Sequence, residues 1–215
     1  MSARENILSR IRAANKSAGN AGSDLARVAG RLSNPVLGPR PNLDWDPEEQ
    51  FIRKSVASAS TIAQTDSMEN VPGLVNQYLT ESGLPRSGVC WGEFSQLPWA
   101  ENEIEMEFRP ATGDDKVGVT GCDCAIAETG TLVLLSSPDQ HATSSLLPET
   151  HIAVVRKRQI LKTMEDVWGF LRERPSGLPR QVNFISGPSR TADIEMTLVY
   201  GAHGPYRVHI IIVND

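Results

Sequence analysis

Residues 186–195 combine reactive side chains with the backbone features of a binding turn. The segment reads Ser-Gly-Pro-Ser-Arg-Thr-Ala-Asp-Ile-Glu and follows the apolar run Val182–Ile185. A strand that ends in a Gly-Pro turn before a helix leaves free backbone N–H groups at the helix start. In open α/β folds such turns lie at the carboxyl edge of the sheet, where ligands bind. We therefore expect a ligand site here, with a helix starting near Thr191.

Two further corners are polar, rich in glycine and joined to strong strands. Residues 120–131 lie between the strand-like runs Val117–Val119 and Leu132–Leu135. Residues 201–205 precede Val208–Val213, a β-branched run typical of a strand buried on both faces. We expect the three corners to meet in one cleft.

Two side chains in these corners are candidates for catalysis. Glu128 follows an apolar run beside a tight turn, where a carboxylate can act as a base, a nucleophile or a ligand for a hydroxyl group. Alternatively, it is a turn residue that accepts hydrogen bonds from nearby backbone N–H groups, and the same two readings apply to Asp123. His203, between small residues, can donate a hydrogen bond to a substrate oxygen or transfer a proton.

Arg190 is the strongest candidate for direct ligand contact. Its planar, permanently charged guanidinium group suits a carboxylate or a phosphate, which predicts a small anionic ligand. The alternative is an internal ion pair with Asp193 or Glu195. If these two acidic residues lie in the first turn of the helix, their carboxylates would also repel an incoming phosphate. The other residues of the three corners that we expect to contact the ligand are Thr120, Gly121, Asp123, Thr129, Gly130, Ser186, Gly187, Ser189, Thr191, Asp193 and Gly204.

Metal binding is not expected from this chain. Cys122 and Cys124, two residues apart on a strand, would point to one face, but together with a distant Cys90 they cannot supply the four usual ligands of an iron–sulfur cluster. We expect His209 to be a packed core histidine. His141 and His151 are assigned to a surface loop and a strand entry.

Composition excludes several classes of protein. With 40% hydrophobic and 22% charged residues, the chain is typical of a globular domain. A net charge of −5 argues against nucleic-acid binding, which needs a clustered basic surface. No apolar run approaches the length of a membrane span, and the first residues lack the apolar core of a signal peptide. We expect a cytoplasmic location.

The chain divides into two regions by composition. Residues 1–45 predict an N-terminal helix and a linker rich in proline and glycine, and residues 46–215 predict an α/β domain. Asp46 is predicted to cap a helix that begins at Pro47 and continues to about Gln64. Residues 162–172 predict an amphipathic helix with its apolar side chains inward, namely Met164, Val167, Trp168 and Leu171. Strands and helices therefore alternate in a βαβ rhythm.

Three ordered blocks, TGCDCAIAETGTLVLL, SGPSRTADIE and GAHGPYRVHIIIV, resemble the LUD-domain family and most closely its lactate-utilisation protein C branch. They cover most of residues 117–213. The resemblance implies a three-layer α/β/α fold with a mostly parallel sheet, similar to sugar-phosphate isomerases, coenzyme A transferases and formyltetrahydrofolate cyclo-ligase. Since those families carry out different reactions, the fold does not define the function.

The resemblance also implies a part in oxidising L-lactate to pyruvate, a two-electron reaction that needs an acceptor. This chain has neither cluster cysteines nor a convincing dinucleotide motif, so we expect a non-redox component that works with separate iron–sulfur proteins. Its contribution would be a binding site, a scaffold or regulation. One alternative is an independent enzyme acting on an activated carboxylate or a phosphorylated small molecule, with Glu128 as nucleophile or base and Arg190 as anion clamp. Another is an interaction domain without catalysis.

Overall fold

The computed structural model describes residues 3–17, 21–33, 42–191 and 199–214. The chain forms two compact units, Met1–Leu43 and Asp44–Asp215. The first unit contains helices α1 (Ala3–Ser17) and α2 (Ala21–Ser33). Within the described ranges, no helix is both long and apolar enough to cross a membrane.

Helix α2 occupies part of the segment that we expected to be a linker. Leu25, Val28 and Leu32 recur at the spacing of one helical face, whereas the closely spaced prolines begin only at Pro35. The overall content of glycine and serine concealed this periodicity. Composition alone was therefore a poor guide in this part of the chain.

The second unit alternates helices and strands. Its helices are α3 (Pro47–Ala57), α4 (Val71–Glu81), α5 (Thr143–Leu146) and α6 (Met164–Arg172). Its strands are β1 (Thr61–Thr65), β2 (Ser87–Cys90), β3 (Glu105–Glu107), β4 (Val117–Thr120), β5 (Cys124–Ile126), β6 (Thr131–Leu135), β7 (Thr150–Arg156), β8 (Ile160–Leu161), β9 (Val182–Ile185), β10 (Arg190–Thr191), β11 (Val199–Tyr200) and β12 (Arg207–Val213).

A central sheet of six parallel strands confirms the predicted α/β class. Its order is β1-β12-β7-β4-β2-β3, and each neighbouring pair runs parallel. The last strand of the chain, β12, lies between β1 and β7 and is buried along most of its length. This agrees with its continuous β-branched sequence, because a parallel strand is covered on both faces.

A second sheet, which we did not predict, covers one face of the central sheet. It contains β8-β5-β6-β9, with β6 antiparallel to both β5 and β9. Apolar side chains of the two sheets and α3, including Phe51 and Trp91, form the core between them. Helix α4 covers the opposite face of the central sheet, and α6 packs against the outer face of the second sheet.

Helix α3 is shorter than predicted. Asp46 caps it as expected by accepting hydrogen bonds from the backbone N–H groups of Glu48 and Glu49 at 2.9 and 3.0 Å. The helix ends at Ala57, and Ala59 adopts a positive φ of 63° before β1 begins. The chain reverses here because residues 61–65 pair with β12 at the edge of the central sheet, a long-range contact that local pattern does not reveal.

Two details after β8 also differ from the sequence-based predictions. Trp168 of α6 was expected to face the core but is 43% exposed, with its ring centroid 5.8 Å from that of Phe184. Arg190–Thr191 forms a short antiparallel ladder with Val199–Tyr200 where we expected the start of a helix. Asp193 and the rest of the proposed helix at 192–198 lie outside the described residues.

Two histidines are buried in the central sheet. His209 belongs to the core as predicted, with Nδ1 2.8 Å from Thr61 Oγ1 and its ring stacked on Tyr78 at 4.0 Å. His151 lies at the start of β7, as predicted, and is fully buried, with Nε2 2.8 Å from Thr120 Oγ1. Burial lowers the pKa of each imidazole from 6.5 to about 4.

Acid should therefore destabilise the fold through these rings. The pKa of each is lower in the folded chain, so between pH 6.5 and about 4 the unfolded chain binds more protons and the free energy of unfolding falls as pH is lowered. His209→Gln should remove on the order of 2 kcal/mol of that pH-dependent loss. Urea unfolding across this window measures the slope, and an unchanged slope in the variant would contradict the assignment.

Glycines let the second sheet and its turns approach the end of α3. Gly130 has a φ of 67°, and a Cβ there would lie 2.5 Å from the backbone nitrogen of Ser55. Gly187 has a φ of 78°, and a Cβ there would lie 2.1 Å from the Ser58 carbonyl oxygen. Both positions therefore exclude a side chain by conformation and by contact.

Gly187→Ala should lower the free energy of unfolding by about 2–4 kcal/mol, since it adds a clash with Ser58 to the cost of a positive φ. Gly177→Ala is the matched control. Its φ of 71° is similar, but a Cβ there meets nothing within 4 Å, so its cost should be about 1 kcal/mol. Equal losses in urea unfolding would show that contact with Ser58 is unimportant.

Candidate functional site

The candidate residues lie at opposite edges of the central sheet. The starts of its parallel strands form one edge, here called the amino edge, and their ends form the carboxyl edge. The turns at 128–130 and 186–190 pack on the last turn of α3, just before β1 starts, and so lie at the amino edge. We expected the carboxyl edge. The 186–190 turn lies at the amino edge instead, because β9 belongs to the second sheet and is antiparallel to β6.

A row of three hydroxyl groups connects the first two corners. Thr129 Oγ1 lies 2.7 Å from Thr131 Oγ1, which lies 2.7 Å from Ser186 Oγ. Thr131 is buried, whereas Thr129 and Ser186 reach the surface. The β5–β6 turn and the turn after β9 are therefore joined by side chains as well as by the β6–β9 ladder.

Glu128 is half-buried in the β5–β6 turn. Its backbone N–H donates to the carbonyl oxygen of Lys162 at 3.1 Å, continuing the pairing of β5 with β8. Gly130, two residues later, closes the turn by donating from its N–H to the carbonyl oxygen of Ile126 at 2.9 Å. Glu128 is thus held at a defined place beside the hydroxyl row.

Ser189 connects the second and third corners. Its N–H donates to the carbonyl oxygen of Pro205 at 2.9 Å, and its carbonyl accepts from Gly201 N–H at 3.0 Å. Its Oγ accepts from the backbone N–H of His203 at 3.3 Å. Gly204 lies beside it, where an added Cβ would be 3.4 Å from Ser189 Cβ. His203 itself is exposed.

Arg190 is exposed and held from two sides. Its Nη2 donates to the carbonyl oxygen of Ser58 at 2.9 Å, and its guanidinium carbon lies 5.3 Å from the centroid of the Tyr200 ring. A cation is favourable at the carboxyl end of α3 because of the helix dipole. The ion pairs that we considered with Asp193 and Glu195 involve residues outside the described part of the chain.

A surface groove of about 420 Å³ lies beside Arg190. Its lining comes from the start of β1, the end of α4, the turn before β10, strand β11 and the start of β12: Ala59, Thr61, Tyr78, Ser82, Pro188, Tyr200, Tyr206, Arg207 and Val208. The Arg207 guanidinium carbon lies 4.8 Å from the centroid of the Tyr206 ring. We call this surface, together with Arg190, the Arg–Tyr groove.

Arg207 and the tyrosines of the groove were not among the predicted site residues. Tyr206 and Arg207 directly follow the Gly-Ala-His-Gly-Pro corner, so their position after that corner was an available signal. Tyr78 carried no such signal. It reaches the groove only because α4 packs across the start of β1, where the Tyr78 ring stacks on His209.

Thr120, Gly121 and Asp123 are separate from the other candidates, at the end of β4. Thr120 is buried against His151, and Gly121 packs against Glu93. Asp123 Oδ2 accepts from the N–H of Leu135 at 2.8 Å, and Oδ1 lies 3.7 Å from Arg174 Nη1. Burial raises the pKa of the Asp123 carboxyl, opposed by these two contacts.

The two neighbouring cysteines point into different cores. Cys122 packs between the two sheets, whereas Cys124 faces α6, because Cys122 precedes β5 and is outside its alternation. Burial raises the pKa of the Cys124 thiol to about 12 and that of Cys122 well above its usual value. Among the described residues, no cluster of three or more His, Cys, Asp and Glu side chains is placed to bind a metal ion.

Comparison with known proteins gives a consistent family. The LUD domain model matches residues 49–213. "Lactate utilization protein C 1" of Bacillus mycoides is 40% identical over 162 residues, which are 69% of each chain. "Lactate utilization protein C" of Bacillus subtilis is 43% identical over 120 residues, covering 54% of this chain and 50% of that one.

Several of these alignments span only about half the length of the relatives. The crystal structure of a DUF162 family protein from Deinococcus radiodurans shares the fold, with a TM-score of 0.55 and 25% identity over 78% of this chain and 96% of that chain. The family model covers the whole α/β unit apart from its first and last residues. The chain therefore belongs to the LUD-domain family and is similar to its lactate-utilisation protein C branch.

Proposed function

We propose that this chain is a non-redox component of an L-lactate utilisation system and that it binds a small anion in the Arg–Tyr groove. The observation that carries the anion site is the pair of guanidinium groups, Arg190 and Arg207, each placed over a tyrosine ring beside one groove. The link to lactate comes from the names of the relatives. We place the activity in the cytoplasm.

The chemistry of the groove suits an anion with a carboxylate or phosphate group. Guanidinium groups bind such anions through two parallel hydrogen bonds, and a volume of about 420 Å³ is within the usual range for small-molecule sites. The Thr61 hydroxyl, held by His209, adds a polar group to the wall. Arg190 gives one N–H to Ser58, which fixes the position of its planar head.

Oxidation of lactate to pyruvate releases two electrons, which this proposal assigns to iron–sulfur clusters on partner proteins. The two neighbouring cysteines support placing the clusters on partner proteins. Cys122 and Cys124 pack into separate cores, and burial disfavours their thiolate forms. The chain would then supply a binding site, a scaffold or regulation. The alternative is an independent enzyme that uses Glu128 and Arg190, and such an enzyme would turn over its substrate without partner proteins.

Arg190→Lys and Arg207→Lys should each weaken anion binding by about 1–3 kcal/mol, because lysine keeps the charge but loses the planar fork. Isothermal titration with lactate, pyruvate and phosphate measures the affinity, and circular dichroism checks the fold. Arg86→Lys is the matched control, since Arg86 forms a surface ion pair with Glu103 and does not line the groove.

A different set of results would show that Arg190 has only a structural role. If no anion stabilises the wild-type chain against heat, and Arg190→Lys still lowers the melting temperature, then Arg190 only ties its turn to α3. Turnover of a nucleotide or thioester by the purified chain alone, lost in Glu128→Ala, would favour the independent enzyme instead.

Cells that lack the gene should fail to grow on L-lactate, and the wild-type gene should restore growth better than its Arg190→Ala or Glu128→Ala forms. Chain purified without oxygen from lactate-grown cells should bring iron–sulfur proteins with it. After separation, iron and sulfide should remain with those partners. Normal growth of the deletion strain would refute the pathway assignment, and stoichiometric iron in the isolated chain would refute the division of labour.

A further inference from the structure

Aromatic side chains form much of the Arg–Tyr groove. Tyr78, Tyr200 and Tyr206 all line it, and the last two are 37% and 49% exposed. The rings of Tyr200 and Tyr206 lie edge to face, with their centroids 6.0 Å apart and their planes at 62°. Together they make an aromatic corner. Exposed aromatic side chains gathered in a concave surface indicate a site for a ligand.

Tyr78 gives the groove a rigid wall. Its ring lies on the ring of His209, with the centroids 4.0 Å apart and the planes 13° apart. His209 is itself held by the 2.8 Å contact of Nδ1 with Thr61 Oγ1. One face of the Tyr78 ring therefore packs against the core, and the part that lines the groove has a fixed orientation. Because the ring is already ordered, a flat ligand can bind against it at little cost in side-chain entropy.

The groove is larger than a small anion requires. An anion of the size of phosphate or lactate, at about 30 Å³ for each non-hydrogen atom, would fill less than half of the roughly 420 Å³. Much of the remaining space is bounded by apolar side chains, since Ala59, Pro188 and Val208 complete the lining around the tyrosines. A ligand that fills the groove therefore joins a larger, flat group to its anionic group.

The cationic groups lie beside two of the tyrosine rings, so one ligand can contact both. The guanidinium carbon of Arg207 is 4.8 Å from the Tyr206 centroid, and that of Arg190 is 5.3 Å from the Tyr200 centroid. The N–H groups of a guanidinium lie in its own plane, and one N–H group of Arg190 is used by the Ser58 carbonyl. Phosphate oxygens are suitable acceptors for the other N–H groups.

We infer that the anion of the Arg–Tyr groove is the phosphate of a nucleoside monophosphate, which rests on the anion site proposed above and names its ligand class. The base stacks on the tyrosine rings, and the phosphate pairs with Arg207 and Arg190. The ribose lies between them, near the hydroxyl groups of Thr61 and Ser82. Because oxidation of lactate to pyruvate consumes no nucleoside monophosphate, such a ligand gives the chain a regulatory role.

Isothermal titration of the full chain with AMP, adenosine, ribose 5-phosphate and inorganic phosphate separates the parts of the ligand. AMP should bind at least about tenfold more tightly than adenosine, which lacks the phosphate. It should also bind at least about tenfold more tightly than ribose 5-phosphate, which lacks the base. GMP should bind within about threefold of AMP, because every base offers a face for stacking.

Tyr206→Leu and Tyr200→Leu should each lower the ratio of AMP affinity to ribose 5-phosphate affinity by at least about threefold, because each removes a stacking surface for the base. Arg207→Lys should instead lower the ratio of AMP affinity to adenosine affinity. Phe108→Leu is the matched control, since Phe108 is 43% exposed but does not line the groove, and it should change neither ratio. Circular dichroism checks that each variant is folded.

Failure of the nucleotide can be told apart from failure of the anion site. If phosphate or lactate binds but AMP binds no more tightly than ribose 5-phosphate, the nucleotide is rejected and the anion site stands. If AMP and adenosine bind equally and no small anion binds, both are rejected. Unchanged affinity ratios in folded Tyr206→Leu and Tyr200→Leu, or no binding of AMP to the wild-type chain, would likewise overturn the inference.

Discussion

Burial of both faces of a parallel sheet is the constraint on which the rest of this structure depends. Strands such as β12 are apolar on both sides and cannot present either face to water. Helix α4 covers one face, and α3 with the second sheet covers the other, around large side chains such as Phe51 and Trp91. The second sheet is thus a requirement of the first, and its turns become the walls of the candidate site.

Close contact at the end of α3 converts this packing into a site. The Ser58 carbonyl lies against Gly187 and accepts a hydrogen bond from Arg190, so one backbone group both positions the turn and orients its guanidinium head. Ser189 then connects that turn to the segment that begins β12. The turns at 128–130, 186–190 and 201–205 meet because each is joined to a strand that the core requires.

The two polar regions of the sheet differ in physical character. At the amino edge, Arg190 is exposed and lies over a tyrosine ring, an arrangement that keeps its charge accessible. At the carboxyl edge, Glu93 rests against Gly121 beside a cavity of about 20 Å³, and burial raises the pKa of the Glu93 carboxyl. The first environment leaves a cation in contact with solvent, and the second encloses a carboxyl group against the backbone.

The local pattern of the sequence was sufficient to predict the α/β class, the Asp46 cap, the buried strand β12 and the core position of His209. Each of these depends on alternation, capping or β-branching, which act over a few residues. It was also sufficient to identify the turns at 128–130, 186–190 and 201–205 as neighbours. Only the tertiary structure decided which edge they share, because the direction of β9 depends on its pairing with β6 and not on its own residues. Long-range packing also ended α3 at Ala57, brought Tyr78 and Arg207 to one groove, and moved Thr120 and Asp123 to the opposite edge. These outcomes depend on contacts between distant segments, whose free energies are absent from any short stretch of sequence.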